Sequence, residues 1–310
     1  MRKRSNTYME QENGQAKGAA GSEEVFESGV SAGRIPVLMY HRITNNKVTA
    51  KENWICVHKS NFEKQLRMLE LWGFTSITFE DYELYLQGRI PLPRKPVIIT
   101  IDDGYLDTYT QAFPLLKEYG MKAVVFVLGD RTLQYNKWDA QNKVPPATLM
   151  NKAQIQELQR HGFEIGAHTL SHPDLSKLSC EEAWEEIELS RLALKDELGV
   201  APITFCYPYG GLTRTTKELV KKSGFRFACS VYSGPSSIGE DPYEIRRVTV
   251  RNNVAELALQ LIVPQNLING IKEALKKNRQ IEIPSVIKNG ERVNQVLPVH
   301  RQVGMDFRQQ

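Results

Sequence analysis

The amino-acid sequence predicts an α/β protein whose parallel strands form one closed or nearly closed β/α barrel of seven to eight strands. Short apolar segments alternate with amphipathic helical segments from residue 34 to residue 263. Repeated alternation of this kind implies parallel strands joined by right-handed crossovers. No GxGxxG follows the first apolar segment, so the sequence does not support the dinucleotide-binding form of an open sheet.

The predicted strands are short runs of apolar and β-branched residues. The clearest is Val97–Ile101, whose continuous apolar character indicates burial on both faces. The other predicted strands, in chain order, are Ile35–Tyr40, Phe74–Thr78, Ala123–Leu128, Phe163–Ala167, Ile203–Tyr207, Phe225–Val231 and Ile245–Val250.

Capping residues and glycines predict where the helices begin and end. Ser60 with Glu63, and Ser179 with Glu182, have the spacing of a capping box. The helix that opens at Ser60 is expected to stop at Gly73. Besides the two that open at Ser60 and Ser179, the predicted helices are Glu80–Gln87, Asp107–Tyr119, Lys152–Arg160, Thr213–Lys222 and Val254–Ile262.

Length and charge bound the domain organisation and the function class. A chain of 310 residues can bury a large core, which excludes a small disulfide scaffold. We expect a disordered N-terminal arm (residues 1–33), a barrel domain (residues 34–263) and a basic C-terminal appendage (residues 264–310). The net charge of +4 is too small for a nucleic-acid binder, and the appendage, with eight Lys or Arg against four Asp or Glu, contains all of it. No apolar run approaches the ~18 residues of a membrane span.

Three further features bear on location and partners. The basic segment Met1–Arg4 is not followed by an apolar stretch, so we expect no cleavable signal and a cytoplasmic protein, with an extracellular or periplasmic location as the alternative. The four cysteines form no CxxC pair and are predicted to be reduced thiols. A helix over Leu267–Lys277, basic on one side, is expected to dock on the barrel or on an acidic partner, with contact to a membrane surface as the alternative.

Polar residues follow two of the predicted strands directly, at the end where barrel active sites form. Asp102 and Asp103 come after Val97–Ile101, and two adjacent carboxylates at a buried position need a cation or a proton to compensate them. His168 and His172 follow Phe163–Ala167. Two imidazoles with one carboxylate form a divalent-metal ligand set that leaves positions open for water and substrate.

Two other segments are candidates on weaker grounds. The turn at Tyr207, Pro208 and Tyr209 follows a strand and could present backbone N–H groups and an aromatic wall to a ligand, although core and loop packing accounts for it equally well. His41 follows the first strand, where a histidine can act as a general acid, but a structural role is the more common one for a single histidine.

Four motifs occur in the order seen in polysaccharide deacetylases. They are Val37-Leu-Met-Tyr-His-Arg-Ile43, Ile101-Asp-Asp-Gly104, His168-Thr-Leu-Ser-His172 and Tyr207-Pro-Tyr-Gly210. The region from Ile35 to Val250 therefore resembles carbohydrate esterase family 4, the NodB-homology domain. The first motif resembles the branch that deacetylates exopolysaccharides such as poly-N-acetylglucosamine.

This resemblance implies a distorted β/α barrel that binds one divalent metal ion, with zinc expected and cobalt, nickel or manganese as alternatives. It further implies roles for the motif residues. Asp103, His168 and His172 would be metal ligands, Asp102 the catalytic base, His41 the catalytic acid, and the turn Tyr207–Tyr209 the donor to the oxyanion. If His41 is not the acid, His161 and then His300 are the next candidates.

One departure from the family concerns the arginine that holds the base carboxylate in many members. Cys206 occupies its place, and Arg246 or Arg247 is the candidate replacement. The predicted function is a metal-dependent hydrolase that removes N-acetyl groups from the amino sugars of a polysaccharide or oligosaccharide. The alternatives are a related amidohydrolase acting on a non-sugar or peptidoglycan amide, and a non-catalytic sugar-binding relative.

Overall fold

The computed structural model describes residues 35–142, 146–199, 201–231, 234 and 238–262, and four short strands between residues 281 and 297. The predicted N-terminal arm, the predicted helix Leu267–Lys277 and His300 lie outside the described residues. The predicted domain boundaries therefore stay predictions.

Ten strands lie in the described residues before Val250, and eight of them form one parallel sheet. The ten are β1 (Val37–Tyr40), β2 (Arg42–Thr44), β3 (Cys56–His58), β4 (Thr75–Ser76), β5 (Pro96–Ile101), β6 (Val124–Val127), β7 (Glu164–Ala167), β8 (Thr204–Cys206), β9 (Phe227–Cys229) and β10 (Val248–Thr249). The sheet order is β10-β1-β5-β6-β7-β8-β9, with β4 beside β5, and β2 pairs with β3 separately. The predicted parallel barrel of seven to eight strands is confirmed.

The segment from Ile245 to Val250 joins the two edges of this sheet. At its start, the Ile245 N–H donates to the Ala228 carbonyl at 2.9 Å, and the Ser230 N–H donates to the Ile245 carbonyl at 2.9 Å. At its end, β10 pairs in parallel with β1. Arg246 and Arg247 lie between these two pairings. The ring of strands is therefore closed, and it is irregular at the two arginines.

Successive side chains of β5 alternate between the helices and the inside of the barrel. Ile99 and Ile101 belong to the large core cluster that includes the helices, whereas Ile98 belongs to a second cluster inside the ring. Because side chains in a strand alternate with period two, Thr100 and then Asp102 continue the inward-facing set. The first acidic residue of the site thus points into the barrel.

Eight α-helices are found among the described residues. They are α1 (Lys47–Glu52), α2 (Lys59–Leu71), α3 (Phe79–Leu86), α4 (Phe113–Glu118), α5 (Lys152–Arg160), α6 (Cys180–Leu198), α7 (Arg214–Lys222) and α8 (Val254–Ile262). Within the described part of the chain, none of these helices has the length and apolar character needed to cross a membrane. Helix α3 contributes Phe79 to the cluster inside the barrel, where its ring stacks on Phe227 with the ring centroids 5.4 Å apart.

The predicted start of α6 is confirmed, and that of α2 is wrong by two residues. Ser179 caps α6 in a capping box with Glu182. Helix α2 instead begins at Lys59, because the imidazole of His58 accepts the Ser60 N–H and takes the N-cap position. The predicted box between Ser60 and Glu63 therefore does not form.

Two other regions differ from the prediction. The predicted helix Asp107–Tyr119 starts with a π-helical turn over Thr108–Ala112, and α4 follows it. The wide turn keeps the Asp107 carboxylate against Arg42, whose Nε lies 2.9 Å from Oδ2, while Thr108 and Ala112 stay buried. The short elements β2, α1 and β3 between β1 and α2 were not predicted, because residues 42–58 show no sustained apolar period.

After residue 280, the structure describes two antiparallel strand pairs. Strand β11 (Ile281–Glu282) pairs with β14 (Val296–Leu297), and β12 (Val286–Lys288) pairs with β13 (Glu291–Val293). These pairs were not predicted from the sequence.

Glu164, at the start of β7, predicts a pH dependence of stability. Its carboxylate accepts hydrogen bonds from the Glu80 N–H at 3.0 Å and from the Thr204 hydroxyl at 2.8 Å, yet burial raises its pKa from 4.5 to about 8. The folded state therefore favours the neutral carboxyl. The stability that this provides is fully present below the ordinary pKa and is lost as pH rises through about 8.

We expect the free energy of unfolding to fall by on the order of 2 kcal/mol more for the wild type than for Glu164→Gln between about pH 5 and about pH 9. Glutamine keeps an acceptor for the Glu80 N–H but does not titrate. Urea unfolding at several pH values measures the difference. Parallel stability curves for the two proteins would contradict the expectation.

Candidate active site

Three candidate segments begin at Asp102, His168 and Tyr207, each directly after a strand. Each of these residues extends the backbone pairing of its strand by one hydrogen bond. The Asp102 N–H donates to the Tyr40 carbonyl and the His168 N–H to the Val127 carbonyl, both at 2.9 Å. The Tyr207 N–H donates to the Cys229 carbonyl at 3.2 Å. Because all these strands are parallel, the segments meet at one end of the barrel.

Asp102 and Asp103 are both buried, but their side chains point to different partners. Asp103 has φ = 73°, in the left-handed region, so the chain turns sharply after Asp102. A non-glycine residue in this region costs about 1–3 kcal/mol, although Asp tolerates it better than most. Gly104 follows with φ = 71°, and a Cβ there would lie 3.0 Å from the Cγ1 atom of Val127. The turn thus separates two neighbouring carboxylates.

Asp103 lies against His168 and His172. Its Oδ1 atom is 3.2 Å from the Nε2 of His168 and 3.3 Å from the Nε2 of His172, and all three side chains are buried. The Nδ1 of His168 lies 2.8 Å from the carbonyl of Cys206. A carbonyl only accepts, so this nitrogen donates, and the Nε2 is the ring nitrogen that faces Asp103.

His172 is held by two aromatic rings. Trp138 stacks on it with centroids 4.6 Å apart and an interplanar angle of 21°. Tyr209 approaches edge-on at 4.8 Å. The backbone of His172 is left-handed, with φ = 72°, and its buried Nδ1 has no hydrogen-bond partner among the described residues. These contacts direct its Nε2 towards Asp103.

Burial would lower the pKa of His168, but Cys206 and Asp103 outweigh it and raise that pKa well above the ordinary value, so a positive charge is favoured beside the Asp103 carboxylate. Burial would raise the pKa of Asp103, but its hydrogen bonds with His168 and His172 hold that pKa well below the ordinary value. Burial lowers the pKa of His172 and so favours the neutral imidazole, the form that binds metal. One carboxylate and two imidazole nitrogens, mutually within 4.8 Å, are a donor set that fits a divalent ion.

Asp102 forms a bidentate ion pair with Arg247. The Arg247 Nη1 lies 2.7 Å from Oδ1, and Nη2 lies 2.8 Å from Oδ2. Burial alone would raise the pKa of Asp102, but the charge of Arg247 outweighs it and holds the pKa below its ordinary value. Asp102 is therefore ionised at neutral pH.

Arg247 is fixed on all sides. Besides Asp102, it donates from Nε to the Ser230 carbonyl at 2.9 Å and from Nη1 to the Thr100 hydroxyl at 3.0 Å, and its side chain has no exposed surface. Of the two arginines that the sequence offered, the structure places Arg247 against the carboxylate, and Arg246 has no ion pair among the described residues.

Cys206 lies beside this pair, with its Sγ 3.1 Å from Nη2 of Arg247 and 3.7 Å from Oδ2 of Asp102. Asp102, His168 and Cys206 form a second group with metal-ligand spacing. Two features oppose a cation there: Arg247 already places a positive charge on Asp102, and burial raises the pKa of the Cys206 thiol to about 11. The set with Asp103 is the better candidate.

His41 follows β1 and lies beside Asp102, with its Nε2 3.8 Å from Oδ2 of that carboxylate. Its side chain is 17% exposed, so solvent reaches it. The ring of Trp54 packs against the imidazole, with the ring centroids 5.7 Å apart and an interplanar angle of 70°. A histidine in this position can exchange protons with a ligand bound beside Asp102.

In the turn after β8, two residues pack in the core and one faces the site. The Tyr207 ring is buried, with its hydroxyl donating to the Tyr243 carbonyl at 3.1 Å, and Pro208 is buried as well. Tyr209, with φ = 56°, is half exposed and lies against His172. Of these three residues, Tyr209 faces the site.

Several residues at this end of the barrel were not predicted. Trp138 and Asp139 lie on the long loop after β6, where Asp139 accepts from the Tyr105 hydroxyl at 3.1 Å. A long loop after a predicted strand, containing a tryptophan and an aspartate, was the available signal. Of the alternative acids, His161 caps α5 before β7 starts and bonds with Lys117, so it lies at the opposite end of β7 from His168.

Comparison with known proteins gives a consistent result. Residues 89–228 match the family model described as polysaccharide deacetylase. YxkH of Bacillus subtilis is 28% identical over 217 residues, which cover 70% of this chain and 71% of that protein. The poly-beta-1,6-N-acetyl-D-glucosamine N-deacetylase of Staphylococcus aureus is 23% identical over 209 residues, covering 64% and 69%.

Two solved structures share the fold. The Streptococcus pyogenes deacetylase PplD, in complex with acetate, is 26% identical with a TM-score of 0.62, and the match covers 74% of this chain and 98% of that one. IcaB from Ammonifex degensii is 28% identical with a TM-score of 0.58, covering 72% and 95%.

Replacing Arg247 by alanine should destabilise the protein strongly. Asp102 would remain as a buried carboxylate without its partner, and removing one member of a buried pair costs about 3–5 kcal/mol. We expect Arg246→Ala to cost much less. The double variant Asp102→Ala, Arg247→Ala should recover part of the loss, because no charge is left unpaired. Denaturant unfolding measures all three, and equal losses for the two arginine variants would contradict this account.

Proposed function

Because residues 89–228 match the polysaccharide deacetylase family model, we propose that the protein is a metal-dependent hydrolase that removes N-acetyl groups from the amino sugars of a polysaccharide. The observation that supports this most directly is the separation of two adjacent buried carboxylates. Asp103 meets two imidazoles, whereas Asp102 is paired with Arg247 and lies beside His41. A ligand set and an acid–base pair thus lie next to each other.

Asp103, His168 and His172 would hold the metal ion, for which zinc is the first candidate. A divalent ion in that position supplies Lewis acidity, which polarises the amide carbonyl and lowers the pKa of a water molecule. The protein fixes the orientation of the two imidazole ligands: the Cys206 carbonyl orients the His168 ring, and Trp138 with Tyr209 orients the His172 ring. Such supporting contacts keep metal ligands in one geometry.

Asp102 would accept the proton from the attacking water. Arg247 keeps this carboxylate ionised and fixes its plane, because both guanidinium Nη atoms bond to it. A carboxylate with a lowered pKa is a weaker base, but it is fully available at neutral pH. Its position next to Asp103 in the chain places it beside the ligand set.

His41 would donate the proton that the leaving amine needs. An amine is a poor leaving group unless it is protonated, so the reaction requires an acid on the leaving side. The Nε2 of His41 is 3.8 Å from Asp102 Oδ2, which leaves the imidazole near the carboxylate without a direct hydrogen bond. The backbone N–H of Tyr209, in its left-handed turn, would stabilise the oxyanion.

The names of two relatives suggest which polymer to test first. The Staphylococcus aureus relative is named for poly-beta-1,6-N-acetyl-D-glucosamine, and the fold neighbour from Streptococcus pyogenes holds acetate, the expected product. We propose an N-acetylated glucosamine polymer as the substrate. Acetate release from β-1,6-linked N-acetylglucosamine oligomers, assayed with zinc and with EDTA, tests the proposal. Activity that EDTA does not reduce, or no activity in the presence of zinc, would overturn it.

Metal content separates the roles of the two carboxylates. We expect the wild type to retain about one divalent ion per chain after loading with zinc and desalting, and Asp103→Ala and His168→Ala to retain almost none. Asp102→Asn should retain the ion but lose activity, because Asp102 is assigned to proton transfer. Elemental analysis and circular dichroism of the same samples measure metal and fold. An Asp102→Asn protein that is folded but contains no metal would contradict the assignment.

His41→Ala should lower kcat by about 10²–10⁴-fold and leave the metal content unchanged, since it removes a general acid and no ligand. The matched control is His161→Ala, which removes a surface histidine at the opposite end of β7. Steady-state rates of acetate release compare the two variants. Loss of metal in His41→Ala would make His41 a ligand, and an unchanged rate would exclude it as the acid.

A further inference from the structure

Exposed aromatic rings are concentrated at one end of the barrel. Of the aromatic side chains that the structure describes, three are exposed, namely Trp54, Tyr135 and Tyr209, each with about half of its surface open. Trp54 contacts His41, and Tyr209 contacts His172. Large apolar groups left open to water mark interaction sites when they cluster.

Trp54 stands on a backbone that is fixed from both sides. It lies in the turn between α1 and β3, where the Asn53 side chain accepts the Ile55 N–H at 3.2 Å and the Asn53 carbonyl accepts the Cys56 N–H at 3.0 Å. The next residue, Ile55, is buried, and its carbonyl accepts the Arg42 N–H at 3.1 Å. The hydrogen bonds of this turn therefore fix the backbone that carries the exposed indole ring.

A series of contacts leads from Trp54 to the chemistry. The centroids of the indole and the His41 ring are 5.7 Å apart, and the Nε2 of His41 lies 3.8 Å from Oδ2 of Asp102. Asp102 is followed in the chain by Asp103, which contacts His172. Tyr209 completes the series at the other end. Trp54 is thus on the side of His41, and Tyr209 is on the side of the ligand set.

The proposed reaction places the pyranose ring that carries the leaving amine next to His41. In the proposed reaction, the acetyl carbonyl faces the ligand set, and the nitrogen that His41 protonates stays attached to a pyranose ring. That ring must therefore lie next to His41 when the amine leaves, which brings it close to the half-exposed indole of Trp54. A pyranose carries its C–H groups on its two faces and its hydroxyls around its edge.

We propose that Trp54 is a sugar-binding platform, on which a pyranose ring of the polymer stacks on the leaving-group side of the site. This inference rests on the proposed function. Packing of C–H groups on the indole releases water from both surfaces, while the sugar hydroxyls stay solvated. Trp54 touches no reacting atom; it contributes to binding and to placing the acetamido group beside Asp102 and His41.

The test is a kinetic comparison of Trp54→Ala, Trp54→Phe and the wild type on a β-1,6-linked N-acetylglucosamine pentamer. We expect Trp54→Ala to raise KM by about tenfold, with the loss falling on KM rather than on kcat, as for a truncated aromatic anchor. Trp54→Phe should recover most of the affinity, because it keeps an apolar ring. The control Leu259→Ala removes an exposed apolar side chain of α8 and should match the wild type.

Two outcomes would overturn the platform. The first is a KM for Trp54→Ala within about twofold of the wild type. The second is a fall in kcat with KM unchanged, because that result would mean that the indole acts by holding His41. Either outcome, with an active wild type, leaves the deacetylase proposal standing.

A binding measurement decides the inference if the wild type releases no acetate. Protein in EDTA is titrated with the pentamer while tryptophan fluorescence is recorded, so that turnover does not interfere. Saturable binding by the wild type that Trp54→Ala weakens by about tenfold supports the platform even though the deacetylase proposal has failed. Equal affinities of the two proteins, or no binding by the wild type, overturn it.

Discussion

The buried ion pair between Arg247 and Asp102 is the interaction on which both the barrel and the site depend. Arg247 lies between the two pairings by which residues 245–250 join the edges of the sheet, and Asp102 follows the strand β5 inside the ring. Removing either charge would leave the other buried without its partner, which is costly. The residue that interrupts the closing strand is therefore also the residue that holds the proposed catalytic base.

The second constraint is the left-handed backbone around the site. Four non-glycine residues of the described chain have positive φ, and all of them belong to site segments: Asp103, Thr169, His172 and Tyr209. Strain of this kind persists only where the surrounding structure enforces it. At Asp103 it turns one carboxylate to the two imidazoles while its neighbour stays with Arg247. Adjacent residues thus acquire separate chemical roles.

The sequence was sufficient to predict the parts of the site that follow strands directly. Asp102 and His168 each come immediately after a buried apolar run, so their meeting at one end of the barrel follows from the parallel sheet. The choice between Arg246 and Arg247 could not be predicted, because it depends on which residue points inward at an irregular closure. A shift of one residue moves a side chain to the other face of a strand.

The aromatic contacts could not be predicted for a related reason. Trp138 contacts His172 from a loop, and Trp54 contacts His41 from a turn. Neither segment has a sequence period, and the positions of both rings depend on contacts between distant segments. The turn holding Trp54 lies among elements absent from the prediction, since β2 and β3 are three residues long. Local pattern identifies strands and the residues at their ends, whereas tertiary packing decides which side chains cover the site.

The central claim is that the ion binds to Asp103, His168 and His172, and not to the neighbouring group that contains Cys206 and Asp102. Zinc K-edge X-ray absorption of the zinc-loaded protein tests this most directly. The account predicts a first shell of nitrogen and oxygen at about 2.0–2.2 Å, including two imidazoles, with no sulfur. A zinc–sulfur distance of about 2.3 Å would place the ion on the thiolate of Cys206 and contradict the account.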